Sequence, residues 1–248
     1  MTYCVAMCLN DGLVFASDSR TNAGVDHIAT FRKLHVFHQP GKRVLVMQSA
    51  GNLATTQSVI SLLNARIRTE QEPNLMQVSS LYDAAMLVGQ TLQEVIQRDS
   101  SSQQSGSTTN FSSNILLGGQ IAGEGHRLFH IYPEGNFIEA TADTPYFQIG
   151  ESKYGKPIID RVLRIDTPLE QAMCCALISI DSTLRSNLSV GLPLDTLLYR
   201  SGSLSAACQH RITESDPYFN TIRTAWSEGL QSVFAGLPPF PPAERENM

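Results

Sequence analysis

Threonine stands second in the chain, directly after Met1. A hydroxyl is a weak nucleophile until a base takes its proton, and a threonine at a chain terminus carries such a base in its own α-amine. That amine titrates at about 7.7–8.0 when unperturbed, and a nearby cation favours its neutral form further. Thr2 is small enough for ordinary methionine removal to expose it. Sixteen residues on, Ser17-Asp18-Ser19-Arg20 brings a carboxylate, and fifteen further comes Lys33. A lysine beside the amine lowers its proton affinity, and an aspartate beside the lysine keeps the positive charge in place. At Ser49-Ala50-Gly51-Asn52 the pattern turns from strand to helix. There a backbone N–H near the helix N-terminus can receive a developing oxyanion. Each feature also has a plainer reading: an ordinary Met-Thr start, a surface ion pair worth little, and a glycine that a turn requires.

The elements that would position these residues follow from periodicity. Thr2 to Leu9 reads as a buried strand, Asn10-Asp11-Gly12 as a hairpin turn, and Leu13 to Ser17 as the returning strand. Thr21 to Ala29 is polar and irregular. Lys33 to His38 and Val44 to Met47 read as a second strand pair. Val59, Ile60, Leu63 and Ile67 recur at helical spacing, and a second helix is expected from Ser80 to Gln97. Asp99 to Ser113 reads as a polar loop. Asn114 to Gly119, Leu128 to Tyr132 and Phe137 to Ala140 read as strands. Helices are expected over Tyr154 to Leu163 and Leu169 to Arg185, with Pro168 suited to a first turn. Asp195 to Tyr199 and Ala206 to Ile212 close as strands, Ala225 to Phe234 is helical, and a Pro-rich, then charged, tail follows. Strands, helix pair, strands, helix pair, strands is the order of a layered α+β domain.

Composition narrows the function classes. The chain has 248 residues, 42% of them hydrophobic, and a net charge of −5 with scattered Lys and Arg. No basic stripe marks a nucleic-acid partner. No run approaches the roughly 20 apolar residues of a membrane helix, so no membrane association is expected. The N-terminus lacks the layout of a signal peptide. Five cysteines without a CxxC pair suit a reducing cytoplasm. Neither His35 with His38 nor His126 with His130 has a Cys or carboxylate at metal-ligand spacing, so no zinc site is expected. No GxxxxGK[ST] sequence occurs. No cofactor is expected.

The co-occurrence of these features resembles the proteasome β-subunit family, whose members carry a terminal Thr, an Asp-Ser-Arg segment, an Ala-Gly, a strand-opening Lys and a Gly at a strand-to-helix turn. The matching positions are Thr2, Asp18, Ser19, Arg20, Ala23, Gly24, Lys33 and Gly51. Asn114 to Gln120 and the Phe129-to-Phe137 hairpin look like the family's central strands. The likeness covers residues 2 to 213. The stretch Phe15 to Asp26, the extended C-terminus and the single residue before Thr2 point to the bacterial ancestral β-subunit (Anbu) group.

This resemblance implies a four-layer αββα sandwich of N-terminal-nucleophile hydrolases over residues 1–213, with residues 214–248 a C-terminal extension. It implies threonine peptidase chemistry: Thr2 as nucleophile, its amine as base, Lys33 and Asp18 as the positive field and its support, and Gly51 as oxyanion donor. Arg20, Thr21, Asn22 and Ser152 fall where substrate is held. Ser189 matches a family Ser that helps to place the amine, while Ser186 stands where the family has Asp. A neutral hydroxyl cannot compensate an ammonium as a carboxylate does. Two other readings therefore stay open: a non-hydrolytic self-assembling scaffold and a small-molecule amidase. The expected partners are a peptide or unfolded protein substrate, further copies of the chain in a ring or open helix, and an unidentified regulator.

Overall fold

The computed structural model describes residues 2–22, 28–101, 109–206 and 208–240. Met1, Ala23, Gly24 and the tail from residue 241 lie outside the described residues, as does the side chain of Asn22. The chain opens on β1 (Tyr3–Leu9), which turns through Asn10-Asp11 into β2 (Gly12–Asp18), with Leu9 paired to Gly12. This is the hairpin expected from the sequence. A short ribbon follows, β3 (Arg20–Asn22) against β4 (Ile28–Thr30). The sequence reading had this stretch irregular, because three-residue strands are too short for alternation to register.

Next come β5 (Leu34–Gln39), β6 (Arg43–Gly51), α1 (Leu53–Arg68) and α2 (Leu81–Ser101). Then follow β7 (Ser113–Ile121), β8 (Arg127–Ile131), β9 (Phe137–Glu139) and β10 (Tyr146–Gly150). The chain continues through α3 (Lys156–Val162), α4 (Leu169–Ser186), β11 (Leu194–Arg200), β12 (Cys208–Ile212) and α5 (Pro217–Ala235). One sheet has the order β10-β1-β2-β11-β12 and a second the order β5-β6-β7-β8-β9.

Three apolar cores separate four layers. On β1, Tyr3, Val5, Met7 and Leu9 pack with Leu169, Ala172 and Ala176 of α4, while Cys4 and Ala6 face the second sheet. That is the period of two expected of a strand buried on both faces. Phe15, Val44, Val46 and Leu116 fill the space between the sheets. Leu45, Met47 and Leu117 face α1 and α2, meeting Val59, Leu63, Val88 and Leu92. The architecture is an α+β, four-layer αββα sandwich.

Two further elements depart from the sequence reading. β10 was not expected, since its partner β1 lies some 140 residues earlier and only that pairing defines it. α5 begins eight residues before the expected Ala225. Asp216 caps it by accepting the Phe219 N–H at 2.8 Å, Pro217 fits its first turn, and Phe219 is fully buried in the core beside α4. Asp181 of α4 accepts from Arg223 at 2.5 Å and from Arg185 at 3.0 Å, which ties α5 to the domain. Among the described residues no helix is long and apolar enough to cross a membrane.

Candidate active site

Thr2 is positioned through its neighbour. The Tyr3 ring is fully buried, its hydroxyl bonded to Ser179 of α4 at 3.0 Å and receiving the Gln148 amide. The Tyr3 N–H donates to Asp18 Oδ1 at 3.0 Å. On the other side, the Thr2 carbonyl accepts the Glu151 N–H at 2.7 Å. Gly150 makes this approach possible. It has φ +84°, and a Cβ there would lie 1.9 Å from the Thr2 carbonyl oxygen, so only glycine fits.

Asp18 ends β2 with its side chain fully buried. Its Oδ1 takes Lys33 Nζ at 2.7 Å together with Tyr3 N–H, and its Oδ2 takes the Gly191 N–H at 3.3 Å. Burial pushes the Asp18 carboxyl above its ordinary value, and the Lys33 ammonium and these two N–H groups oppose that shift. Lys33, itself buried, donates also to the Arg20 carbonyl at 2.7 Å. It is therefore fixed from both ends of the Asp18–Arg20 segment. The Cys4 thiol reaches the Ser49 carbonyl at 3.7 Å and so joins the Thr2 strand to β6 across the sheets. Burial pushes that thiol well up, which keeps it a donor.

Gly51 ends β6. Asn52 N–H bonds the Ser112 carbonyl on the β7 side, at 3.1 Å, and Ser49 N–H bonds the Lys33 carbonyl on the β5 side, also at 3.1 Å. Ladder direction alternates along a strand. The Gly51 N–H thus turns to the β5 side, beyond that strand's first residue Leu34, where the cleft opens. It sits one residue before Asn52, which caps α1 by accepting the Thr55 N–H at 3.2 Å. The positive end of the helix dipole lies at this point. Gly51 has φ +127°, and a Cβ would stand 2.4 Å from the Ser112 carbonyl oxygen. Gly51→Ala is expected to lower stability by about 2–3 kcal/mol, from the backbone strain alone at a minimum. Calorimetric unfolding checks this; a variant as stable as the parent would refute the constraint.

Thr2, Thr21, Lys33, Gly51 and Gly150 line one cleft of about 880 Å³. Such an arrangement offers a hydroxyl, a buried cation and an N–H turned toward the β5 side within one concavity.

Residues 2–191 match the proteasome subunit family. The chain belongs to that family. Among solved structures it is similar to Anbu (ancestral beta-subunit) from Yersinia bercovieri, at 68% identity and TM-score 0.92, over 97% of this chain and 99% of that one. A helical assembly of the Anbu complex from Pseudomonas aeruginosa matches at 59% identity and TM-score 0.93, over 98% and 100% of the two chains. Anbu from Hyphomicrobium sp. strain MC1 matches at 49% identity and TM-score 0.89, over 97% and 100%. No curated protein matches.

In this proteasome-type subunit the other expected site residues are distributed unevenly. The Arg20 guanidinium donates to the Leu188 carbonyl at 3.1 Å and lies against Gly191, so it braces the 188–191 loop. Ser19 Oγ likewise donates to the Pro193 carbonyl at 2.5 Å. Asn22 continues β3 beside Thr21, paired with Ile28. Ser152 lines a separate cleft with Gln148, Lys156 and Asp160. Ser186 is the exposed last residue of α4, and Ser189 donates its N–H to Asn187 Oδ1 at 2.9 Å.

Sequence reasoning missed Glu151, Asn187, Phe31, Arg32, His35 and Ile60. The last four line the Thr2 cleft. Burial holds the His35 imidazole below its ordinary value. The His35–His38 spacing had been read only for metal binding, and nothing local in the sequence marks a cleft wall assembled from two elements.

Proposed function

We propose that the chain is an N-terminal-threonine amide hydrolase acting on peptides. The observation that carries this reading is the buried Asp18–Lys33 pair, held at 2.7 Å, with Asp18 bonded to the Tyr3 N–H next to Thr2 and Lys33 lining the same cleft as Gly51. Removal of Met1 frees the Thr2 amine. Thr2 Oγ then forms a bond to the carbonyl carbon, and the amine accepts the hydroxyl proton. The Gly51 N–H receives the oxyanion. The C–N bond breaks, and the leaving nitrogen takes the proton from the ammonium. A water molecule cleaves the resulting ester through the same groups and restores the hydroxyl. Lys33 sets a positive field that keeps the amine a base, and Asp18 orients Lys33.

Thr21 and Asn22 lie on a three-residue strand at the cleft edge, suited to pairing with an extended peptide backbone. A cleft of about 880 Å³ is large for a small amide and suits a peptide side chain with its flanking backbone. The relative from Pseudomonas aeruginosa forms a helical assembly. The same association of copies, open or closed into a ring, is proposed for this chain. Its five free thiols suit a reducing cytoplasm. The exposed Ser186 favours a second reading, a scaffold without turnover.

A peptide epoxyketone separates the two readings. With Thr2 verified as the first residue by intact mass, the expected result is one adduct per chain, located on the N-terminal peptide. Wild-type protein that is never labelled across neutral and alkaline pH would remove the hydrolase reading.

A further inference from the structure

An amine that gains and loses a proton in each cycle must be held while charged and aimed while neutral. The family's Asp for this purpose is replaced by Ser186, and the exposed end of α4 offers no substitute there. A buried carboxylate enters from another element. Glu151 follows directly on β10, and its N–H bond to the Thr2 carbonyl carries the β1–β10 register one step beyond Tyr3↔Gly150. Glu151 therefore stands opposite Thr2. The 2.7 Å bond between their main chains brings the two residues within the span of a glutamate side chain, at the point where Gly150, with φ +84°, ends the regular ladder.

The Glu151 side chain is only 8% exposed. A carboxylate so buried requires partners. Its Oε2 accepts the Asn187 amide at 2.9 Å, while the largely exposed Lys153 ammonium stays 3.8 Å from Oε1. Asn187 is itself oriented, because its Oδ1 is engaged by the Ser189 N–H at 2.9 Å and so its NH₂ is turned to Glu151. Asn187 lies between the two loop serines, Ser186 and Ser189. The late loop thus reaches Glu151, the residue whose main chain is bonded to Thr2.

We propose, resting on the reading of Thr2 as the terminal nucleophile, that Glu151 oriented by Asn187 is the positioning residue for the Thr2 α-amine. Its carboxylate accepts from the ammonium, raises the amine's proton affinity against the lowering by Lys33, and fixes the nitrogen relative to Oγ. The charged and titratable groups around the amine are then Glu151 just after β10, Asp18 on β2 and Lys33 before β5, with Arg32 and His35 on the cleft wall, Lys153 at the rim and Arg20 behind the 188–191 loop.

The test reads the amine itself. The full chain beginning at Thr2 is acetylated with acetic anhydride across pH, and the N-terminal peptide is quantified by mass spectrometry. Glu151→Gln is isosteric and keeps an acceptor for Asn187. Loss of the negative charge should make the amine half-titrate at a roughly tenfold higher proton concentration than in wild type. Asn187→Ala should move it in the same direction by less. The acid limb of epoxyketone labelling should move to lower pH in step. Unchanged amine titration in both variants, with native thermal unfolding, overturns the proposal; if Glu151→Gln does not fold, Asn187→Ala decides. Absence of labelling in wild type would remove the peptidase reading and leave the amine titration to decide the role of Glu151.

Discussion

Thr2→Ala is expected to abolish covalent labelling and to lower any amide hydrolysis by on the order of 10⁴-fold or more, the scale seen when an attacking group is deleted. Folding should be unaffected. The Thr2 side chain is only partly buried, and the bond that locates the residue is made by its main-chain carbonyl to the Glu151 N–H. Alanine is also small enough for Met1 to be removed, so the variant keeps its terminal amine and loses only the hydroxyl. Thr2→Ser restores that hydroxyl without the γ-methyl that restricts χ1. It should label about tenfold more slowly than wild type. The check is adduct formation on the N-terminal peptide, followed in time by mass spectrometry. An alanine variant that still acquires an adduct there would show that the amine, or another group, is the nucleophile.

The residues nearest in sequence to Thr2 and Asp18 were legible because one hairpin, closed by Asn10-Asp11, carries them to the same edge. The strand-to-helix turn at Gly51 was legible for a related reason: strand periodicity, a glycine and an asparagine cap fall in immediate succession. The helices were legible from the recurrence of Val59 and Leu63 or of Val88, Leu92 and Val95, side chains that do face the second sheet. What escaped was what only tertiary pairing creates. Tyr146–Gly150 becomes a strand by joining β1 and, through Gly150, by wrapping the Thr2 carbonyl.

The 187–191 loop shows the limit more sharply. From the family resemblance it offered Ser189, with Ser186 just before it at the end of α4. In the fold it meets the site through three other atoms: the Gly191 N–H on Asp18, the Leu188 carbonyl on Arg20, and the Asn187 amide on Glu151. Two of the three are main-chain atoms, which carry no residue-type signal. Arg20 was expected from the family resemblance among the substrate contacts; in the fold its guanidinium is engaged with the loop.

Lys33 is where structure and chemistry are hardest to separate, and a charge-paired variant separates them. Among the described residues, Lys33→Ala leaves the fully buried Asp18 with the Tyr3 and Gly191 N–H groups as its partners. Breaking one side of a buried pair costs roughly 3–5 kcal/mol, because the remaining charge is stranded. The loss should depend on pH. Burial already pushes the Asp18 carboxyl up, and removing the ammonium takes away the largest opposing influence. The folded variant therefore binds this proton more tightly than the unfolded chain does. Stability must then fall as pH rises from the unfolded carboxyl value, about 3.9, through the higher folded value. Chemical unfolding at acid and neutral pH should accordingly show a smaller deficit at acid pH. Asp18→Asn combined with Lys33→Met removes both charges while keeping an acceptor for the Tyr3 N–H, so most of the stability should return. Labelling of Thr2 should not return. It should remain on the order of 10²–10³-fold below wild type, since the positive field at the amine is gone. A double variant that recovers both stability and labelling would assign the pair to folding alone. Recovered stability without labelling would assign Lys33 to the chemistry, with Asp18 as the residue that makes a buried cation tolerable beside the amine.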